Sequence, residues 1–355
     1  MIKTTGKSFK AILCAGVLAL GSSAFAGNPD RAGSAGGLQL LVNPWARSNA
    51  LSGANMADAS PVESMHLNVA GMAFVNKTEI SGTHINYLSG SDVAINSAGI
   101  AQRVGETSVI GLSISSYNFG DIRRTTVETP DGDGTFFNVS LVNIGVSYAK
   151  AFSNSIYGGV TLKVISEGVA DLTSNGIAFD AGINYVTGDR DQLKFGIALR
   201  NVGPPMSFAG DGLSFEATAP GREHPLAAEF RSANYELPSL VSIGASYDFL
   251  INEEMAITAH GTFVANSFSE DNYMVGLEYN FRELVYLRAG HFLENNIFDD
   301  QLRRVVYTGL SFGAGVELDL GKAGSRLSFD YAYRATNPFG GIHALGVRLH
   351  VGKSQ

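Results

Sequence analysis

The sequence is poor in charge, in cysteine and in long apolar runs. Only 16% of its 355 residues are charged, against about 25% in typical soluble domains, which argues against a charge-rich cytosolic enzyme. The formal net charge is −8, so the chain lacks the excess of Lys and Arg on which nonspecific nucleic-acid binding depends, and we expect no nucleic-acid partner. The single cysteine, Cys14, lies near the N-terminus, so no disulfide is expected.

The beginning of the chain has the features of a secretory signal. Three lysines stand among the first ten residues, an apolar run of about ten residues follows at 11–20, and residues 24–26 read AFA, a small-x-small cleavage site. We therefore predict a signal peptide at 1–26 and an exported protein. After residue 26 there is no run of 18 apolar residues, so no transmembrane helix is expected.

What the sequence has in abundance is glycine and aromatic residues, with 42 Gly, 13 Tyr and 21 Phe. Much of the chain alternates residue by residue between apolar and small or polar side chains. At 273–281, for example, Tyr, Val, Leu, Tyr and Phe alternate with Met, Gly, Glu and Asn. This period of two, rich in aromatic and β-branched residues, predicts β-strands. Fourteen such segments are predicted, at 77–88, 92–103, 107–118, 137–150, 154–166, 175–187, 190–202, 239–251, 254–266, 271–281, 284–293, 303–320, 324–334 and 341–352.

The connections between these segments alternate in length. Those after even-numbered segments are short, and those after odd-numbered segments include every long one. Single-chain bacterial outer-membrane barrels have an even number of strands, short periplasmic turns and long external loops. We therefore predict an all-β fold, a transmembrane antiparallel β-barrel of about 14 strands in the bacterial outer membrane. A soluble β-sandwich also explains the alternation, but it explains the one-sided loop lengths less well.

Residues 27–76 do not alternate in this way. The predicted division is therefore a signal peptide at 1–26, an N-terminal plug segment at 27–76 and an outer-membrane barrel at 77–355. The stretch 46–59 is rich in small residues and predicts a helix or a compact plug. Because a barrel of this size has a lumen too wide for its own side chains to fill, we expect a segment inside it.

The N-terminal segment also carries a family pattern. Residues 46–54 read ARSNALSGA, 57–60 read ADAS and 68–73 read NVAGMA. The series resembles the start of the PorV/PorQ family, in which ARALGMGGA leads through a small and acidic stretch to WNPAGLA; Leu67 and Val69 stand here for the Trp and the Pro. It is also similar to the start of the FadL transporters, whose barrels have fourteen strands. The residues that carry the family motif are Ala46, Arg47, Ala50, Leu51, Gly53, Ala54, Asn68, Ala70 and Gly71.

The PorV/PorQ resemblance implies a role without catalysis. Such proteins are outer-membrane barrels of the type IX secretion system, so the implied partners are the translocon barrel and the C-terminal signal domains of secreted cargo. Lipid and lipopolysaccharide of the outer membrane would surround the barrel. The FadL resemblance implies the alternative, a transporter of hydrophobic small molecules across the outer membrane.

The motifs that could indicate an enzyme are weak. Residues 309–313 read GLSFG, but a hydrolase needs its serine on a sharp turn between strand and helix, and these residues lie inside a regular predicted strand. Asp131 and Asp133 offer too few oxygens for calcium. The seven histidines have no zinc spacing. We predict no catalytic residue, no metal site and no cofactor.

Two features are candidates for partner contact. Paired arginines can hold carboxylates or phosphates, and the pairs Arg123–Arg124 and Arg303–Arg304 are both expected near external ends of the barrel. The connection at 203–238 contains five of the ten prolines and several large apolar side chains, and so long a loop is usually functional or disordered. The candidates are Arg123, Arg124, Met206, Phe208, Phe215 and Phe230.

Overall fold

The computed structural model of the protein describes residues 27–218, 221, 224–321 and 324–352. The predicted signal peptide and Cys14 lie outside the described residues. Within them no helix has both the length and the apolar character needed to cross a membrane. The chain is instead dominated by strands, in keeping with its period-two pattern.

The described residues form sixteen strands in chain order. They are β1 (Thr78–Tyr87), β2 (Val93–Arg103), β3 (Ser108–Arg123), β4 (Phe136–Ala151), β5 (Ile156–Val169), β6 (Leu172–Thr187), β7 (Leu193–Val202), β8 (Ser214–Ala217), β9 (Leu226–Glu229), β10 (Leu240–Leu250), β11 (Met255–Asn266), β12 (Asn272–Phe281), β13 (Val285–Leu293), β14 (Tyr307–Asp319), β15 (Arg326–Thr336) and β16 (Ile342–Val351). All except β8 and β9 belong to one closed antiparallel barrel.

The barrel closes by pairing its first strand with its last. β1 and β16 are antiparallel, with a register that runs from Thr78 opposite Val351 to Asn86 opposite His343. Each remaining barrel strand pairs with its neighbours in sequence, and β7 pairs with β10 across the small β8–β9 hairpin. Closure leaves no free sheet edge, so the backbone groups of every barrel strand can pair within the wall.

The fourteen predicted strands are confirmed. Most boundaries agree within two or three residues. The largest differences lie beside the long connections, where β3 continues to Arg123, and β14 begins at Tyr307. The connections at 124–135, 203–239 and 294–306 all lie at one end of the barrel, which we call the long-loop end. The opposite end, with connections such as 104–107 and 282–284, is the short-turn end.

The alternation separates an apolar outer surface from a polar inner surface. On β14, Leu310 and Phe312 are 46% and 50% exposed, whereas Ser311 between them is fully buried. On β12, Val275 and Leu277 face outward, and Glu278 faces the lumen and is buried. An apolar outer surface around a polar interior is the pattern of barrels that cross a bilayer.

Residues 27–76 lie largely inside the barrel. Their helices are α1 (Ala46–Ala50) and α2 (Pro61–Leu67), and a 3₁₀ segment, Val69–Phe74, leads towards β1. Almost every residue from 45 to 75 is buried. Helices this short are not stable by themselves, so their stability comes from packing against the wall.

The outward orientation of Val275 yields a stability test. Val275→Arg places a charge on the apolar outer surface and should destabilise the barrel by about 2–4 kcal/mol if the site is near the bilayer midplane. Unfolding by denaturant in lipid vesicles measures the cost. Val127→Arg is the matched control, because Val127 is 95% exposed in the connection after β3. Equal costs for the two variants would show that the outer surface of β12 does not face lipid.

Candidate functional site: a plugged lumen below an apolar cavity

Helix α1 lies against glycines of the wall. A Cβ added at Gly313 would lie 2.4 Å from the Cβ of Ala50, and one added at Gly290 would lie 2.4 Å from the carbonyl carbon of Leu51. These distances are far shorter than any allowed contact, so larger side chains would push the helix away. Ser311, between Gly309 and Gly313, donates from its hydroxyl to the Ala50 carbonyl at 2.8 Å.

That contact explains the GLSFG sequence at 309–313. Ser311 is fully buried, and its Oγ lies 2.7 Å from the Oγ of Ser52 in the N-terminal segment. The pairing of β14 with β15 shifts register between Tyr307 and Ser311, but the strand continues to Asp319, so the serine does not stand on the strand-to-helix turn that a hydrolase nucleophile needs. Gly313 leaves room for α1, and Ser311 forms a hydrogen bond with it.

The strongest link between plug and wall is a buried carboxylate held by two arginines. Arg47 on α1 donates from Nε and Nη2 to the two oxygens of Glu278 on β12, each at 3.0 Å. Arg288 on β13 reaches Glu278 at 2.5 Å and donates from Nη1 to Asp330 at 2.6 Å. Such two-pronged arginine–carboxylate pairs fix orientation as well as distance. They set the angle at which α1 enters the lumen.

Arg47, Glu278, Arg288 and Asp330 belong to a layer of buried charges between plug and wall, which we call the charge layer. The charge layer continues around the wall to β1. Asp330 on β15 lies 3.6 Å from Arg348 on β16, which lies 4.0 Å from Glu63 on α2. Glu79 on β1 accepts at 2.8 Å from the backbone N–H of Val62, in the first turn of α2. Helix N-termini have unpaired N–H groups, so this wall carboxylate caps the helix and fixes it.

Asp58 and Lys194 extend the layer on the other side. Asp58 follows the turns after α1, and its carboxylate is paired with Lys194 on β7 and lies 3.6 Å from Arg47. Burial alone would raise the pKa of Asp58, but Lys194 and Arg47 outweigh it and hold the pKa below its usual value. Burial raises the pKa of Glu63 despite Arg47 and Arg348. The plug therefore contributes charges of both signs to the layer.

Asn68 supports the turn that leads the plug back to the wall. Its Oδ1 accepts from the backbone N–H of Ala70 at 3.2 Å, and its Nδ2 donates to Oδ1 of Asn184 on β6 at 2.6 Å. A Cβ on Gly71 would lie 2.9 Å from the Cβ of Ser64, so the turn packs tightly on α2. The motif residues Ala46, Ala50, Leu51, Ala54 and Ala70 are all buried in the lumen, and Gly53 there has a φ of +83°.

Above the plug, at the long-loop end, lies a cavity of about 490 Å³. We call it the apolar cavity. Its floor includes Ser52, Gly53 and Met56 of the plug. Its predominantly apolar lining includes Leu38, Leu41, Leu240, Val264, Phe268, Phe292, Val306 and Tyr307. Its volume falls within the range of small-molecule binding sites.

Three arginines line the apolar cavity, and they differ in their partners. Arg304, in the connection before β14, lies 3.5 Å from Glu270. Arg200 on β7 donates from Nη1 to the His66 carbonyl at 2.6 Å, and its Nε has no partner in the described part of the chain. Arg334 on β15 is buried, and among the described residues its Nε likewise has no partner.

A second cavity of about 410 Å³ lies below the plug, at the short-turn end, and its character is opposite. Its lining includes the charged side chains of Arg47, Asp58, Lys194, Glu278, Arg288, Glu317 and Arg348. It has no lining residue in common with the apolar cavity. The plug and its charge layer therefore separate an apolar compartment from a charged one.

The residues considered for metal binding have structural roles instead. Asp133 accepts from the backbone N–H and the hydroxyl of Thr135 at 2.8 and 2.6 Å, and it closes a turn in the exposed connection after β3. Within the described ranges, no group of three or more His, Asp, Glu or Cys side chains could hold a metal ion. His66 and His260 belong to the lumen, where burial lowers the pKa of His66.

The arginine pair after β3 does not converge on one site. Arg123 is exposed and donates to the Asp131 carbonyl at 3.1 Å, within its own connection. Arg124 lies 3.7 Å from Asp171. Contact of either arginine with a partner stays a prediction.

The 203–238 connection divides into an anchored part and an exposed part. Met206 is buried with Leu40, Ile165 and Leu237, and Phe208 packs near Tyr235, whose hydroxyl donates to Glu167 at 2.7 Å. The β8–β9 hairpin carries Phe215 and Phe230, whose rings stack at 4.2 Å and remain exposed. Among the candidate residues of this connection, Phe215 and Phe230 are the ones whose side chains are exposed, and their contact with another molecule stays a prediction.

Comparison with solved structures gives the fold but not a family. The monoaromatic hydrocarbon channel CymD matches with a TM-score of 0.57 and 14% identity over 89% of this chain and 98% of that one. The toluene transporter TodX of Pseudomonas putida matches with a TM-score of 0.53 and 10% identity over 87% and 97%. A FadL homologue from Pseudomonas aeruginosa has a TM-score of 0.49 and 12% identity over 86% and 96%.

The chain has the fold of outer-membrane channels. This fold fits the predicted location in the outer membrane, and two proteins that share it are described as a hydrocarbon channel and a toluene transporter. No protein-family model and no curated protein sequence matches the chain. Nothing in the comparisons supports the PorV/PorQ resemblance or type IX secretion, and both stay predictions.

The Glu278 link yields a second stability test. Glu278→Ala removes the carboxylate shared by Arg47 and Arg288, and it leaves buried guanidinium groups with fewer partners. Breaking a buried pair in this way costs about 3–5 kcal/mol. Glu254→Ala is the matched control: the Glu254–Arg282 pair is exposed at 52% and 58%, and such pairs contribute about 0–1 kcal/mol. Equal unfolding midpoints for the two variants would contradict the role given to Glu278.

The mouth of the apolar cavity yields a pH test. Burial, together with the nearby Glu270 carboxylate, raises the pKa of Glu294 to about 7 against the opposing effect of Arg304. The folded state thus binds this proton more tightly than the unfolded chain, whose value is 4.5, so stability falls as pH rises between these values. Glu294→Gln should remove that part of the fall, measured as unfolding midpoints at pH 4, 5.5 and 8. Glu216→Gln, on the exposed hairpin, should behave as wild type; identical profiles for all three proteins would contradict the assignment.

Proposed function

We propose that this protein is an outer-membrane channel through which small hydrophobic molecules enter the cell. This is the FadL-like alternative of the sequence analysis. The observation that carries it is the apolar cavity at the long-loop end of a plugged fourteen-strand barrel. The proteins named as a monoaromatic hydrocarbon channel and a toluene transporter have a similar fold.

The position of the cavity suits uptake from outside. By the loop-length rule the long-loop end is expected to face the external medium. Leu38 and Leu41 beside the cavity are 58% and 39% exposed, so an apolar solute can reach apolar side chains at the mouth. Transfer from water to these surfaces releases about 25 cal/mol per Å² of apolar area. A neutral hydrocarbon therefore gains free energy on entering.

The charge layer suits selectivity. A polar ion that passed through the lumen would have to displace Arg47, Glu278 and Arg288 from one another, and buried pairs resist the loss of a partner. An open, water-filled pore would have no such layer. The arrangement supports a channel that takes up specific solutes without letting ions pass freely.

No observation in the described part of the chain favours the secretion role over this one. The structure has an entrance to a cavity that suits small molecules, whereas a surface for a folded cargo domain rests on the exposed Phe215 and Phe230. Secretion partners therefore stay an expectation from the sequence, and transport is the function that we propose.

Filling the apolar cavity tests the proposal. Val264 is 5% exposed and lines the cavity, so in Val264→Trp the indole occupies the space of the ligand and should lower hydrocarbon uptake about tenfold. Uptake of radiolabelled toluene into vesicles that contain the purified protein measures the effect. Folding of the variant is checked by its anomalous gel migration without heating.

The matched control is Val160→Trp. Val160 lies on the outer surface of β5, 40% exposed, so the same substitution there should leave uptake unchanged. If vesicles with wild-type protein take up toluene no faster than empty vesicles, the proposed function is wrong. If Val264→Trp folds and transports as wild type does, the apolar cavity is not the route.

A further inference from the structure

Arg334 is a buried cation for which the protein supplies no anion. Its side chain lines the apolar cavity and is 7% exposed. In the described part of the chain no carboxylate pairs with it, and its Nε has no hydrogen-bond partner. Two other buried wall arginines, Arg288 and Arg348, both pair with Asp330. A buried charge without a partner is costly, so its retention in a ligand cavity points to a partner that arrives from outside.

Aromatic rings fix the orientation of this guanidinium. Its Cζ lies 3.5 Å from the ring centroid of Tyr307 and 5.3 Å from that of Phe292. A separation of 3.5 Å allows only a stacked arrangement, in which the flat guanidinium covers the face of the Tyr307 ring. One face is thereby occupied, and the N–H groups, which point outward in the plane of the guanidinium, remain for a ligand.

The other charged side chains around the apolar cavity favour a negatively charged ligand. Arg200, also on the wall and 8% exposed, adds a second cation with an unpaired Nε. The acidic residues that line the cavity, Glu270 and Glu294, lie in the connections after β11 and β13, and Arg304 pairs with Glu270 there. Asp180 on β6 attracts Arg200 but is already paired with Lys163, so positive charge exceeds negative charge on the strand-borne part of the cavity wall.

We propose that the apolar cavity binds aromatic carboxylates, with the carboxylate on Arg334. This inference rests on the proposed function and names the substrate class of the same site. A carboxylate in the plane of the guanidinium accepts two parallel N–H bonds. Because an aryl carboxylate is flat, its ring continues in that plane, parallel to the Tyr307 ring, and lies among the apolar side chains of the cavity. Arg334 thus distinguishes an aromatic acid from the neutral hydrocarbon of the same shape.

The experiment compares three probes on the detergent-purified full-length protein. They are 2-naphthoate, naphthalene, which lacks only the carboxylate, and decanoate, which keeps the carboxylate but has no ring. Equilibrium dialysis at pH 7.5 gives the Kd of each. For wild type we expect 2-naphthoate to bind at least about tenfold more tightly than naphthalene, the size of one charge-assisted pair, and more tightly than decanoate.

Substitutions then assign the preference to Arg334. Arg334→Gln keeps a polar side chain of similar length but loses the charge, so the Kd of 2-naphthoate should rise to that of naphthalene while the Kd of naphthalene changes little. Arg334→Lys keeps the charge without the flat fork and should restore part of the preference. Arg282→Gln removes one charge far from the cavity, in an exposed position at the short-turn end, and should bind all probes as wild type does. Unheated gel migration and circular dichroism confirm that each variant is folded.

The possible results test this inference separately from the proposed function. If wild type binds naphthalene and 2-naphthoate equally, or if folded Arg334→Gln keeps the preference, this inference is wrong and the proposed function stands. If decanoate binds as tightly as 2-naphthoate and depends equally on Arg334, the restriction to aromatic acids is wrong. If no probe binds, both this inference and the proposed function fail. Loss of the preference in Arg334→Gln with partial recovery in Arg334→Lys supports it.

Discussion

Closure of the sheet is the constraint on which the rest of this structure depends. In hydrocarbon an unpaired backbone group has no water to bind, so β1 must pair with β16 along nine residues, from Thr78 opposite Val351 to Asn86 opposite His343. Fourteen strands in a closed barrel then enclose a lumen wider than their own side chains can fill. The plug, the charge layer and the apolar cavity are all consequences of how that lumen is filled.

The plug holds its place by two different interactions. Close packing needs small residues on both sides, which is why wall glycines such as Gly290 and Gly313 face Leu51 and Ala50. The orientation of α1 is fixed by the ion pair between Arg47 and Glu278. Buried ion pairs contribute more to a unique arrangement than to net stability in several systems, and here they fix one position of short helices that have little stability of their own.

The two compartments differ because of what the plug presents to each. Met56 and Gly53 face the apolar cavity, whereas Arg47 and Asp58 face the charged one. A segment of about a dozen residues therefore separates two chemical environments. Arg334 is the exception in the apolar compartment, since its charge is stacked on Tyr307 rather than neutralised by an acid.

The sequence by itself determined the fourteen barrel strands, the apolar outer surface and the placing of the long loops at one end, because period-two alternation and loop length are local properties of the chain. It did not indicate the β8–β9 hairpin, which lies in the predicted 203–238 connection. It placed Glu278 on the polar side of its strand, but in a wide empty lumen this would be a hydrated side chain. Only the tertiary structure brought Arg47, more than two hundred positions away, to Glu278, and only it assembled the apolar cavity from plug, strands and connections. Contacts between segments so distant in sequence follow from how the plug folds back into the barrel, and no local pattern specifies that path.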